Sequence, residues 1–175
     1  MRGRAKIAVA IAAVAVATTA EQAHASTTCT WAGTPPAPTG TFWISPGITH
    51  IPSTGPLQFR AVGQLGGSAG CHGKVTFSGQ QDAGATCSYS TFRGRVYGLR
   101  GVRRFLGHGS LDVPSQLFDR KGRFVGVENA NIMTQSTFQH ATDCTTPQGF
   151  TGGWPGMFSS VITLFGGGGV SSPAR

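Results

Sequence analysis

Between Phe92 and Leu106 the chain alternates: Phe92, Gly94, Val96 and Phe105 are interleaved with Arg93, Arg95, Tyr97 and Arg104. A period of two marks a β-strand with one buried face and does not suit a helix. A two-residue turn at Arg100-Gly101 folds Phe92 to Val113 into a hairpin. It pairs Leu99 with Val102, Tyr97 with Arg104, Val96 with Phe105, Arg95 with Leu106, Gly94 with Gly107 and Arg93 with His108. Opposite residues of an antiparallel pair share a face. One face then holds Phe92, Val96, Phe105 and glycines, and the other holds Arg93, Arg95, Tyr97, Arg104 and His108. A slip of one residue would mix arginine into the apolar set. Arg103 falls on the inner face at the turn end, within reach of water. Gly94 opposite Gly107 leaves a gap on that face, to be filled by a Trp from elsewhere or by a ligand.

The same period recurs along the chain. Leu57, Phe59, Ala61 and Leu65 share a face, with Gln58, Arg60 and Gln64 on the other, and Lys74 to Ser78 turns Val75 and Phe77 inward. Thr41 to Ser45, Thr86 to Leu99, Val102 to Val113, Arg123 to Val127 and Ile132 to Phe138 read as further strands, with a turn at Asp119-Arg120-Lys121-Gly122. Met157 to Phe165 is apolar on both faces and is expected to lie centrally, covered on both sides. Residues 33–40 are proline-rich and read as an extended lead-in, after which the strands begin. No long segment has helical period, and glycine takes 26 of the 150 residues after Ala25. Many short strands must hide their edges, so the expected fold is all-β: a single antiparallel β-barrel, with a two-sheet β-sandwich as the alternative.

Arg2, Arg4 and Lys6 precede an apolar run from Ile7 to Ala17, and small residues follow at Ala23 and Ala25. This is the pattern of an export signal, and the run is too short for a bilayer, which needs about 20 residues. The expected organisation is a signal peptide at 1–25, a secreted β domain at 26–165 and a flexible glycine-rich tail at 166–175, with no transmembrane segment in the mature chain. Without residues 1–25 the chain keeps 11 Lys and Arg against 5 Asp and Glu, a net charge of +6.

All four cysteines, Cys29, Cys71, Cys87 and Cys144, follow the signal, and an even count in an oxidising compartment implies two disulfides. Cys71 and Cys87 are close in sequence, but a turn at Asp82-Ala83-Gly84 would hold them out of register, and bridged Cα atoms must lie within about 7 Å. The pairing favoured is Cys29 with Cys71 and Cys87 with Cys144. Nothing matches a zinc-ligand spacing, the histidines are scattered, and no cofactor signature is present. Gly66-Gly67-Ser68-Ala69-Gly70 spells G-x-S-x-G, but a strand-like run follows Ser68 where a nucleophile elbow needs a helix.

Glu128 is the only glutamate after residue 25 and stands with Asn129 and Asn131 in a strand-like run. The favoured reading ends the strand near Val127 and leaves Glu128 in a solvated turn. The alternative continues the alternation, with Phe124, Gly126 and Glu128 inward. A carboxyl placed there has its pKa raised by desolvation, as a general base or ligand anchor requires.

The segments Cys29-Thr30-Trp31-Ala32-Gly33-Thr34-Pro35, Val125-Gly126-Val127-Glu128-Asn129-Ala130 and Asp143-Cys144-Thr145-Thr146-Pro147-Gln148-Gly149-Phe150 resemble small exported proteins of actinomycetes, of the streptomycete kind. The resemblance covers nearly the whole chain after residue 25. It implies an extracellular location and brings no activity and no site residues. The functional expectation is an exported, non-enzymatic binding or cell-surface module that contacts anionic envelope polymers through Arg93, Arg95, Tyr97, Arg104 and His108. The alternative is a small-ligand-binding or enzymatic barrel with a site near Glu128 and Asn131.

Overall fold

Among the described residues the period-two pattern resolves into twelve strands. The computed structural model describes residues 26–109, 114–132 and 144–166, so the expectations for 1–25, 110–113, 133–138 and 167–175 lie outside the described residues. The strands are β1 (Thr27–Trp31), β2 (Gly33–Thr34), β3 (Ala37–Pro38), β4 (Thr41–Ile48), β5 (Leu57–Gly67), β6 (Lys74–Gln81), β7 (Ser90–Tyr97), β8 (Arg104–Gly109), β9 (Ser115–Phe118), β10 (Phe124–Ile132), β11 (Phe150–Gly152) and β12 (Phe158–Leu164). Eight of them, in the order β1, β12, β10, β9, β8, β7, β6, β5 and back to β1, form a closed antiparallel barrel. Closure removes the exposed edges that so many short strands would otherwise leave. Among the described residues no helix is long and apolar enough to cross a membrane.

The long strand β5 bonds β4 through Gln58 to Val62 and β1 through Leu65 to Gly67. Thus β1 and β4 act as one stave, interrupted where β2 and β3 fold out as a small hairpin. Two expectations are corrected here. The strands begin before the proline-rich segment, and that segment pairs with itself. Pro46-Gly47 does not end β4 either, which runs on to Ile48 and receives β11.

An eight-stranded barrel is just wide enough for side chains to fill or to hold one small ligand. Here the filling is aromatic. Trp31 stacks on Phe77 with centroids 4.5 Å apart and meets Phe158 edge-on at 4.8 Å, and Phe77 stacks on Phe105 at 5.0 Å. Each such pair contributes about 0.5–1.5 kcal/mol beyond area burial. Disulfides staple the two ends: Cys29–Cys71 reaches the β5–β6 turn, and Cys87–Cys144 ties the β6–β7 loop to the segment before β11, with Cα separations of 5.6 and 6.2 Å.

The β7–β8 hairpin keeps its predicted faces and changes its register. Phe92, Val96 and Phe105 are buried, and Arg93, Arg95, Tyr97, Arg104 and His108 are exposed. The partners, however, are Arg95 with Arg104, Gly94 with Phe105, Phe92 with Gly107 and Thr91 with His108, a slip of two residues. An even slip preserves the faces. Its cause lies at Gly98, in the left-handed region at φ +79°, where a Cβ would stand 2.1 Å from the Lys74 carbonyl oxygen. The tip still turns at Arg100-Gly101, with the Val102 N–H donating to the Leu99 carbonyl. Each glycine consequently faces a phenylalanine, and the rings of Phe105 and Phe92 fill the space above Gly94 and Gly107, where a Trp was expected. Arg103 is exposed at the barrel end, its N–H donating to the Phe118 carbonyl. Arg104 thus pairs with Arg95 and not with Tyr97, whose ladder partner is Thr76 on the other neighbouring strand, β6.

Strand β12 is bonded on both sides, by β1 and β10, but its outer face is covered only at its start, where Ser159 is buried. Phe158, Ser160, Ile162 and Leu164 are buried, whereas Val161 and Thr163 are only half-buried on the outer surface.

Candidate functional site

Glu128 settles in the interior. The β9–β10 ladder shifts register between Phe124 and Gly126, so Phe124 lies outside, half exposed, while Gly126 and Glu128 turn inward. The strand continues to Ile132, which overturns the reading that placed Glu128 in a solvated turn. Glu128 is 3% exposed. It lies opposite Ser115 on β9 and Ile162 on β12, and Ser160, one inward position along β12, donates its hydroxyl to Glu128 Oε1. Burial pushes the carboxyl above the ordinary carboxylate range, against the hydroxyls of Ser160 and then Ser115, which pull the other way. Among the described residues no cation pairs with it. The group is therefore a neutral carboxylic acid over a wider pH range than a surface glutamate, able to donate as well as accept a hydrogen bond.

Around Glu128 lies a cavity of about 50 Å³, walled by Trp31, Phe59, Phe77, Phe92 and Phe105, with Gln81 and Ser115 as its other polar members. Gln81, the last residue of β6, is 2% exposed, and its Oε1 has no hydrogen-bond partner among the described residues. The same holds for Trp31 Nε1 in the wall. An unpaired buried acceptor or donor costs about 1–3 kcal/mol. A donor-acceptor group seated in this space would recover that cost. The inward positions run in a period of two, Val75-Phe77-Gly79-Gln81 and Phe158-Ser160-Ile162, so Gln81 and Ser160 were readable as interior polar residues once their strands were extended. Asn131 pairs with Ser159 in the ladder, and its side chain lies outside the described residues.

The arginine row lies on the other side of the sheet. An open groove of about 690 Å³ runs over the outer face of β6 to β8, lined by Gln58, Gln80, Arg93, Arg95, Tyr97 and Arg104. His108 is exposed further along β8 and does not line it. The two candidate sites are thus separate, Glu128 inside the barrel and the arginine face outside. A second basic cleft at the barrel end gathers Arg100, Arg103, Arg120, Lys121 and Arg123 around Asp119. In the sequence these residues fall in two separate turns and at the strand ends beside them, with nothing to show that they meet.

Ser68 sits in the β5–β6 turn, where its hydroxyl donates to the Thr28 carbonyl at 2.8 Å beside the Cys29–Cys71 bridge. No helix follows it, so the elbow geometry is absent. Among the described residues no group of three or more His, Cys, Asp or Glu side chains is placed to hold a metal ion. Comparison of the chain with protein-family models, with curated proteins and with solved structures finds no match.

Proposed function

We propose that the protein is an exported barrel that holds a small uncharged ligand in its interior, with an apolar body among the rings and a hydroxyl or amide group facing Gln81 and Glu128. The unpaired Oε1 of buried Gln81 carries this reading, because an acceptor shut away from water is stable only with a donor brought to it. Buried Glu128, which keeps its proton to higher pH than a surface glutamate, adds a second polar contact. The volume of about 50 Å³ limits the enclosed group to a few non-hydrogen atoms, at roughly 10–15 Å³ of such free space per water molecule. Export is supported by the apolar run at Ile7 to Ala17 and by the two disulfides.

The test follows the Trp31 indole N–H resonance, assigned with Trp31→Phe, while primary alcohols of increasing length are titrated. Saturable shifts are expected, with affinity rising with each methylene until the cavity is full. Gln81→Leu should weaken binding about tenfold, equivalent to about 1.4 kcal/mol. A carboxylate of matching length should not compete. If no alcohol gives a saturable shift, the interior is core and the reading fails.

A further inference from the structure

The described residues contain ten Lys and Arg: Arg60, Lys74, Arg93, Arg95, Arg100, Arg103, Arg104, Arg120, Lys121 and Arg123. All lie on β5 to β8 or in the β7–β8 and β9–β10 turns, whereas β1, β4, β11 and β12 carry none. Asp82 neutralises Arg93, Asp119 neutralises Arg123, and Glu128 is inside. The other cations have no carboxylate partner among the described residues. A one-sided field of this kind draws in polyanions.

Within that flank Arg95 and Arg104 are direct cross-strand partners, both exposed. Like charges directly opposite destabilise a sheet, with Cβ atoms only about 4.5–5.5 Å apart. The same cross-strand row continues through Ser78 to Arg60, so three arginine positions align across four strands, with Arg60 bordering a neighbouring hollow beside Trp43. An anion between them removes the repulsion, and the planar arginine fork suits phosphate oxygens.

We infer that this flank binds an unpaired nucleic-acid strand, with Arg95 and Arg104 on its phosphates and Tyr97 beneath a base. The surface is an open depression spanning β5 to β8, along which a flexible strand can lie. Tyr97 lines it at 49% exposure, next in the row after Arg93 and Arg95, and a base-free phosphate polymer has no use for the ring. Gln58 and Gln80, opposite each other on the groove floor, offer amide groups to base edges. Cationic grooves with aromatic platforms are the general solution for single strands.

The probe is a labelled oligothymidylate of about 12 nucleotides, read by fluorescence anisotropy with the full chain. Its affinity should fall with salt at a log–log slope of about −3, as expected for roughly four phosphate contacts. Arg95→Gln with Arg104→Gln should weaken binding at least about tenfold, and Tyr97→Leu at least about fivefold. Lys74→Gln, outside the groove, should change it less than about twofold. An abasic strand of equal length should bind at least about tenfold more weakly. Equal binding of the abasic strand, preference for anionic lipid vesicles at matched phosphate, or no binding at low salt would each overturn the assignment. The Trp31 response to alcohols should be unchanged in the arginine variants, so this result is separable from that of the interior ligand.

Discussion

The hydroxyl of Ser160 meets the carboxyl of Glu128 inside the barrel, across the β10–β12 ladder, where no cation among the described residues shares the charge. This pair makes the fold sensitive to alkali. In the unfolded chain Glu128 titrates near its ordinary value of 4.5, and in the barrel burial holds its proton to higher pH. Above that ordinary value the folded state keeps a proton the unfolded state has lost, so stability falls as pH rises, until the buried carboxyl ionises. Below it, both states are protonated and this group contributes no slope. Glu128→Gln should therefore gain on the wild type by up to about 1.4 kcal/mol per pH unit across the window. Urea midpoints measured at several pH values decide the matter. A difference that stays constant with pH means the carboxyl is ionised in both states.

Asp119 has the opposite sign. Its carboxyl is held below the ordinary range, first by the Arg123 backbone N–H, then by the Arg123 side chain, with Lys121 N–H adding to it. The stabilisation is present above its unfolded value of 3.8 and fades as pH falls through the lower folded value. Asp119→Ala should lower the melting temperature at neutral pH and cost less as the medium becomes strongly acidic, which thermal scans will register.

The two hairpin glycines should respond unequally to alanine. At Gly107 a Cβ would meet the tip of the Phe92 ring at 2.2 Å, and that ring borders the cavity. At Gly94 it would meet the Ser78 carbonyl oxygen at 2.3 Å and the Gly79 Cα at 2.6 Å, which are backbone atoms with nowhere to go. Overpacking costs about 1–3 kcal/mol. Gly107→Ala should fall at the lower end of that range and Gly94→Ala at or beyond the upper end by chemical denaturation. Equal losses would mean Phe92 cannot move.

Replacing both cysteines of either bridge with serine should cost about 2–5 kcal/mol. The Cys29–Cys71 pair closes 42 residues and the Cys87–Cys144 pair 57, so chain entropy gives them nearly equal weight. Losing Cys87–Cys144 should additionally broaden the Trp31 indole signal, because Gln81 and Ser90 border the loop that carries Cys87. A sharp, unmoved signal would separate that bridge from the cavity.

Alternation made much of this architecture legible. Leu57 to Leu65 and Phe92 to Leu106 carry their faces in their own side chains, and register argued against a Cys71–Cys87 bridge, in keeping with the observed Cys29–Cys71 and Cys87–Cys144 pairs. What escaped depends on contacts far apart in sequence. The two-residue slip in β7–β8 comes from Gly98 passing against the Lys74 carbonyl on another strand. Strand β1 offers only Cys29 and Trp31 as inward residues and sits beside prolines, so its short pattern was hidden until β12 and β5 are placed around it. Glu128 looked like a strand terminator because a carboxyl is expensive indoors. Its partner Ser160 is 32 residues away. Likewise, the basic end cleft exists only because closure brings the β7–β8 and β9–β10 turns together.

The uneven placement of lysine and arginine around the wall has a consequence for orientation. Gln81, Ser90 and Ser115 all stand at the end stapled by Cys87–Cys144, while the cationic turns crown the opposite end and the arginine groove occupies the side. Contact made through that side wall leaves the Cys87–Cys144 end, where Gln81, Ser90 and Ser115 lie buried, turned away from it.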